Sequence, residues 1–154
     1  MKRWEWFSWG GIAAMAVLLA VVSWFAWEPA KTPPPLARQY RDYDICLLTG
    51  EKGISTAPAK TAWDGLEAVS DRTSVRVSYV AVMGEQTAAR AQQLLASQVA
   101  QRCGVIVAVG DAPAAAVAAS RDRYPQVKFV VLKGSESAAE VTNQVLPMVP
   151  PKGK

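Results

Sequence analysis

Apolar residues run without a charge from Trp6 to Trp27, which is the pattern of a membrane-spanning helix. A hydrocarbon core of about 30 Å needs about 20 apolar helical residues. Trp side chains stand at both ends, as in the aromatic belts of membrane interfaces. We therefore expect residues 1–27 to form a signal-anchor helix in the lipid bilayer. A cleaved signal peptide is the alternative, although the bulky residues from Trp24 to Pro29 make a poor cleavage site.

Basic residues flank this run on both sides, so their count alone does not orient it in the membrane. Lys2 and Arg3 precede the run, and Lys31 and Arg38 follow it. Because the short segment before the run holds little to export, we expect a single-pass protein of the cell membrane. Its N-terminus would be cytoplasmic and the remainder extracytoplasmic.

A proline-rich segment follows the predicted anchor. Residues 28–42 contain Pro29 and the run Pro33-Pro34-Pro35, which favours extended polyproline II. The segment is interpreted as a spacer between bilayer and domain. A ligand for a proline-reading module is the alternative. At the other end of the chain, residues 150–154 are expected to be a disordered tail.

Residues 43–149 alternate between short apolar runs and stripes at helical spacing, which predicts strands and helices in turn. Two runs, Asp44–Thr49 and Gly104–Val109, are almost wholly apolar, as in central strands covered on both faces. Val127–Leu132 predicts a further strand. A fourth run, from Val75 to Tyr79, alternates with polar residues, which is typical of an edge strand.

This order predicts an α/β fold with one doubly wound parallel sheet and helices on both faces. The alternating run is the second strand, so we expect the strand order 2-1-3-4. Residues from Asn143 to Val149 could add a fifth strand at an edge, although Pro147 disfavours it.

Composition and charge exclude several functions. The chain has no His, and its net charge of +4 comes from 17 basic and 13 acidic residues that are interleaved. No basic stripe with aromatic residues appears, so we expect no nucleic-acid partner. Because no nucleophile has a positioned base and no ligand cluster is present, we expect neither an enzyme, nor a metal site, nor a cofactor.

A ligand crevice is expected beyond the carboxyl ends of the first and third strands, where the connections diverge. The candidate ligand-binding residues are Thr49, Gly50, Glu51, Ser55, Gly110 and Asp111. Side chains of Thr49, Ser55 and Asp111 could hydrogen-bond a small polar ligand. In the competing interpretation Asp111 is the N-cap of a helix and the glycines only make turns.

Cys46 and Cys103 are the two cysteines of the chain. Outside the cytoplasm such a pair suggests a disulfide. With level strand ends, however, Cys46 would lie opposite Ile106, and Cys103 about 10 Å further along the strand. That exceeds the usual Cα separation of about 4.4–6.8 Å, so a bridge and two separate buried thiols both remain open.

Five segments of the domain resemble the amino-terminal lobe of the basic membrane protein family, the substrate-binding proteins of ABC importers. They are Cys46-Leu-Leu-Thr-Gly50, Ala62-Trp63-Asp64-Gly65-Leu66, Val75–Val80, Val105–Gly110 and Tyr124-Pro-Gln-Val-Lys-Phe-Val-Val131. The resemblance covers roughly residues 43–132. It implies a periplasmic-binding-protein-like fold and a small-molecule ligand such as a nucleoside.

The chain departs from this family at two points. Where the family has a Phe-Asn pair facing the nucleoside, this chain has Pro58 and Ala59, and Glu51 would have to replace the family's acidic residue. The family also has a second lobe that closes the cleft. We therefore expect binding or sensing linked to ABC transport, with an ABC permease or a partner that supplies a second lobe. A ligand-free scaffold module for a membrane partner is the alternative.

Overall fold

The computed structural model describes residues 17–21 and 39–151. The chain divides into two compact units, Met1–Ala37 and Arg38–Lys154. In the first unit, residues 17–21 are helical and exposed. Within the two described ranges, no helix combines the length and the apolar character that crossing a membrane requires. The predicted anchor over 1–27 and the spacer over 28–42 lie largely outside the described residues.

The described part of the second unit alternates strands and helices. The strands are β1 (Asp44–Thr49), β2 (Arg76–Ala81), β3 (Cys103–Val109) and β4 (Lys128–Leu132). The helices are α1 (Ala57–Thr73), α2 (Ala88–Ala100), α3 (Asp111–Ser120) and α4 (Ala138–Val145). Short 3-10 turns occupy Gly53–Ser55, Arg121–Arg123 and Leu146–Met148. All strand pairs are parallel and their order is β2-β1-β3-β4, which confirms the predicted order.

The sheet is covered on both faces because β1 and β3 are apolar at successive positions, whose side chains point to opposite sides. Ile45 and Leu47 join a core with α1 and α4, which we call the α1–α4 face. Cys46 and Leu48 join a core with α2 and α3, the α2–α3 face. The two-sided burial expected for these strands is thus present.

Helices α1 and α4 pack closely because α1 has a glycine at the contact. A Cβ added at Gly65 would lie 2.7 Å from the carbonyl oxygen of Ala138 and 2.8 Å from Cβ of Val141. The Thr142 hydroxyl, which is buried, donates to the Gly65 carbonyl over 3.0 Å. The absence of a side chain therefore sets the distance between these helices.

The expectation of a fifth strand from Asn143 to Val149 is wrong. This segment forms the end of α4 and the 3-10 turn Leu146–Met148. Ser137 starts α4 with a capping box, in which its hydroxyl accepts from the Glu140 N–H and the Glu140 carboxylate accepts from the Ser137 N–H. Val141 and Val145, one helical turn apart, are buried on the α1–α4 face, so helical periodicity prevails.

Cys46 and Cys103 form a disulfide with a Cα separation of 5.9 Å. Cys46 lies opposite Ile106, as the level strand ends predicted, but Cys103 lies opposite Asp44. The register shifts between Asp44 and Ile45: Asp44 lies opposite Cys103 but Ile45 lies opposite Val105, so β3 has one extra residue at this point, as in a β-bulge. The offset along β1 is therefore two residues rather than three, and both cysteine side chains lie on the α2–α3 face.

The extra residue of β3 is Gly104, and the Tyr43 ring lies against it. A Cβ at Gly104 would lie 2.5 Å from Cε2 and 2.7 Å from the hydroxyl oxygen of Tyr43. Burial raises the pKa of Tyr43 above its usual value of 10.0. Its hydroxyl donates to the carbonyl of Met148 over 3.4 Å, which ties the start of the domain to its end.

The described end of the chain is attached to the same region. The Arg41 guanidinium donates to the carbonyls of Pro150 and Pro151 at 2.9 and 3.0 Å. The Lys128 ammonium donates to the Met148 carbonyl at 2.7 Å. The described residues of the expected tail thus have hydrogen-bonded partners in the domain.

Candidate functional site

The crevice predicted between the first and third strands corresponds to a topological switch point. β1 and β3 are adjacent and parallel, with Leu48 opposite Ala108 near their carboxyl ends. After β1 the chain enters α1 on one face of the sheet, whereas after β3 it enters α3 on the other face. Diverging connections leave a crevice beyond the strand ends, which is where open α/β sheets bind ligands.

Thr49, the last residue of β1, does not offer its side chain to this crevice. The residue has no exposed surface. Its hydroxyl lies 3.2 Å from the Gly50 carbonyl oxygen and 3.5 Å from that of Val80. Because these backbone acceptors already engage the hydroxyl, Thr49 stabilises the start of the loop instead of presenting a hydrogen bond to a ligand.

The loop after β1 is a compact turn that presents Glu51 and Ser55 to solvent. The Gly53 N–H donates to the Gly50 carbonyl at 3.0 Å, and Gly53 has a left-handed φ of 54°. A Cβ at Gly53 would lie 3.3 Å from Cε2 of Tyr79, so the turn sits directly against β2. Glu51 and Ser55 are exposed on this turn.

The turn after β3 differs from its prediction. Gly110 is the N-cap of α3 and has φ of 104°, a conformation that favours glycine. Asp111 is the first helical residue instead of the N-cap, and no side chain caps this helix. Its carboxylate lies in the first turn, where it is stabilised by the helix dipole. Gly110 and Asp111 are both exposed.

The structure therefore brings two polar turns together at the carboxyl ends of β1 and β3. α1 also begins without a side-chain cap, since the Thr56 hydroxyl is directed to the Gly53 carbonyl, 3.5 Å away. Backbone N–H groups at such helix starts can bind ligand oxygen atoms. Glu51 and Asp111 add two carboxylates, which accept hydrogen bonds and disfavour anionic ligands. Within the described ranges, no group of three or more His, Cys, Asp or Glu side chains could hold a metal ion.

A groove at the amino end of β2 was not anticipated from the sequence. It has a volume of about 440 Å³ and is lined by Tyr40, Trp63, Glu67, Ser70, Asp71, Arg76 and Val77. Trp63 stacks edge-on against Tyr79 of β2, with ring centroids 5.5 Å apart. The spacing of Trp63, Glu67 and Asp71, each one helical turn from the next, is the signal that could have indicated this surface.

Comparisons with known proteins bear on the fold. No protein-family model matches the chain, and no curated protein sequence matches it. A crystal structure of a fragment of a candidate lipoprotein from Peptoclostridium difficile 630 is similar, with a TM-score of 0.50 and 13% sequence identity. The match covers 64% of this chain and 80% of the other. At this identity the likeness shows a shared α/β fold and no more.

Proposed function

We propose that the protein is a membrane-anchored, extracytoplasmic binding module that uses the α/β lobe of residues 43–149. The observation that carries the proposal is the switch point between β1 and β3, where two turns and two helix starts without side-chain caps meet at one edge of the sheet. In this proposal the crevice accepts a small polar molecule. Glu51, Ser55 and Asp111 supply the side-chain contacts, and Gly50 and Gly110 leave the backbone accessible.

Three observations support a location outside the cytoplasm. The disulfide between Cys46 and Cys103 is typical of proteins from oxidising compartments. The helical residues 17–21 expose large apolar side chains, as a lipid-facing segment does. The structural neighbour from Peptoclostridium difficile 630 is itself a candidate lipoprotein. A reporter fused at Lys154 tests the topology, and reporter activity confined to the cytoplasm would contradict it.

The charges around the crevice favour a neutral ligand with hydroxyl groups over an anion. Glu51 and Asp111 are exposed carboxylates on the two turns, so a phosphate brought between them would be repelled. Sugar hydroxyls can donate to the carboxylates and accept from the helix N–H groups. A nucleoside fits this chemistry better than a nucleotide, in agreement with the resemblance to basic membrane proteins.

Within the described residues, a single lobe borders the crevice. In the proposal an ABC permease or a separate polypeptide with a second lobe covers it, and binding is coupled to transport. Co-purification of the full chain from membranes with such a partner would support this step. Recovery of the chain alone, together with unaltered ligand binding, would show that the lobe acts by itself.

Thermal-shift measurements on the full chain in detergent test ligand binding. We expect nucleosides to raise the melting temperature and the corresponding nucleotides to have little effect. A ligand present at 100 times its Kd adds about 2.7 kcal/mol of stability. Asp111→Asn and Glu51→Gln should reduce the shift, whereas Asp122→Asn, an exposed acid outside the crevice, should not. A uniformly flat response to nucleosides would contradict the proposal.

The second candidate function is a protein-interaction module, which the open edge of β2 favours. Tyr79 on this strand and Met83 just beyond it are 44% and 62% exposed, so both side chains are accessible to a partner. If no nucleoside binds, protein interaction through this surface becomes the better explanation of what the domain does. The measurement that separates the two functions is the oligomeric and partner-bound state of the full chain with and without nucleoside.

A further inference from the structure

The groove at the amino end of β2 lies at the opposite end of the sheet from the crevice between β1 and β3. β1 and β2 run parallel, so their amino ends share one end of the sheet and their carboxyl ends the other. The volume of the groove, about 440 Å³, is in the range of small-molecule binding sites. It is therefore a second candidate site, separate from that of the proposed function.

Two aromatic side chains from different segments form the apolar part of this groove. Trp63 belongs to α1 and is half-buried, whereas Tyr40 precedes β1 and is 44% exposed. The Arg41 N–H donates to the Ser74 carbonyl at 2.7 Å, which holds the segment of Tyr40 beside the end of α1. Indole and phenol rings attract cations through the negative potential of their faces.

Among the described residues, the polar lining of the groove carries more negative than positive charge. Glu67 and Asp71 present carboxylates from one face of α1. The Arg76 guanidinium also lines the groove, but it lies 3.9 Å from the Asp44 carboxylate, which offsets its charge. Glu67 is exposed, and within the described ranges its carboxylate has neither a hydrogen bond nor an ion pair.

The carboxyl end of α1 adds to the negative potential. α1 ends at Thr73, and the last turn of a helix carries a partial negative charge that stabilises cations. Arg72 lies in the same turn but does not line the groove. Within the described ranges, no three His, Cys, Asp or Glu side chains are grouped to hold a metal ion. Aromatic rings beside a carboxylate suit an organic cation better than a metal ion.

We propose that this groove binds a small organic cation that has an ammonium group on an apolar body. The ammonium group lies beside the Glu67 carboxylate, and the apolar body packs against Trp63 and Tyr40. A quaternary ammonium such as choline has this chemistry, because its charge is permanent and its methyl groups pack on aromatic rings. The bound cation contacts both α1 and the segment that leads into β1.

Nuclear magnetic resonance of the full chain in detergent, with isotope-labelled tryptophan, tests this site. Five of the six Trp lie within residues 1–27, and Trp63 is the remaining one. Its indole N–H signal is assigned by its loss in Trp63→Phe. Choline should shift this signal until the site is saturated. The other five signals are internal controls for effects of choline on the micelle.

A neutral analogue and matched variants separate recognition of the charge from apolar adsorption. The alcohol in which carbon replaces the choline nitrogen has the same shape without the charge, and it should barely shift the Trp63 signal. Glu67→Gln keeps the size of the side chain and should raise the Kd for choline about tenfold. Glu85→Gln removes an exposed acid beyond the carboxyl end of β2 and should leave the Kd unchanged. Circular dichroism checks that each variant is folded.

A Trp63 signal that choline does not shift would overturn the proposal, as would equal shifts with choline and the neutral alcohol. An unchanged Kd in folded Glu67→Gln would also overturn it, since the charge would then play no part. Equal shifts of all six signals would show an effect on the micelle and count against the site. Because nucleosides are tested at the crevice at the other end of the sheet, failure of nucleoside binding leaves this prediction unaffected.

Discussion

The Cα atoms of Cys46 and Cys103 lie 5.9 Å apart, although Cys46 is in register with Ile106, three residues beyond Cys103. The register shift next to Gly104 removes one residue from the offset between the two cysteines. Both side chains then point to the α2–α3 face, where they are buried. The bridge consequently joins the two central strands of the sheet.

Loss of this disulfide is expected to destabilise the domain. The bridge closes a loop with a sequence separation of 57, and removing such a bond typically costs about 2–4 kcal/mol. The double variant Cys46→Ala with Cys103→Ala should unfold at a lower urea concentration, with unfolding monitored by circular dichroism. Reduction of the unmodified chain should lower the midpoint in the same direction, and equal midpoints in all samples would contradict the structural role.

Gly65→Ala is expected to destabilise the contact between α1 and α4. Alanine is intrinsically better than glycine within a helix by about 1 kcal/mol. The added Cβ, however, would lie 2.7 Å from the Ala138 carbonyl oxygen, and overpacking costs about 1–3 kcal/mol. We expect the clash to prevail and the melting temperature to fall. Gly50→Ala is the control, because its nearest neighbour is the flexible end of Gln86 at 3.4 Å.

Trp63 and Tyr79 are expected to stabilise each other. Their rings meet edge to face at an interplanar angle of 77°, an arrangement worth about 0.5–1.5 kcal/mol beyond burial. A double-mutant cycle with Trp63→Leu and Tyr79→Leu should give a coupling of this size in urea unfolding. Tyr79→Phe retains the ring and should retain the coupling. An additive cycle would mean that the ring contact contributes nothing.

Acid is expected to destabilise the turn that precedes α4. The Glu136 carboxylate accepts N–H groups of Lys133 and Gly134 at 2.9 and 2.8 Å, and these backbone hydrogen bonds lower its pKa below 4.5. Hydrogen bonds from Ser137 lower the pKa of Glu140 in the same way. A pKa that is lower in the folded state contributes stability above the unfolded pKa, and this stability is lost as the pH falls through the folded value.

The measurement is the melting temperature between about pH 3 and about pH 7. Glu136→Gln should melt at a lower temperature than the unmodified chain at neutral pH. Its melting temperature should also fall less steeply as the pH is lowered. Glu67→Gln serves as control, since no hydrogen bond to the Glu67 side chain occurs among the described residues. Parallel pH curves for Glu136→Gln and the unmodified chain would argue against the assigned role.

Much of the sheet could be predicted because its signal is local. Continuous apolar runs marked β1 and β3 as the central strands, covered on both faces, and the alternation from Val75 to Tyr79 marked β2 as an edge strand. Those patterns require only that strands alternate their side chains and bury the apolar ones. The helix at Ala138–Val145 was missed because its capping box and its two buried valines were outweighed by a short apolar run near Pro147.

The candidate site was less predictable because hydrogen-bond partners depend on tertiary contacts. Thr49 has a side chain suited to ligand binding, yet its hydroxyl is engaged by backbone carbonyls of its own loop and of β2. Asp111 was expected to cap α3, but Gly110 adopts φ of 104° and takes the N-cap position. The groove beside Trp63 depends on how α1 lies over β2, which no local pattern specifies.

The sequence by itself determined the alternation of elements, the order of the strands and the burial of their side chains, because hydrophobic periodicity acts over a few neighbouring residues. The tertiary structure alone decided the disulfide, the close approach of α1 to α4 and the contact between the rings of Trp63 and Tyr79. Each of these depends on the register or distance between segments far apart in the chain. A shift of a single residue at Gly104 decides whether two cysteines can meet.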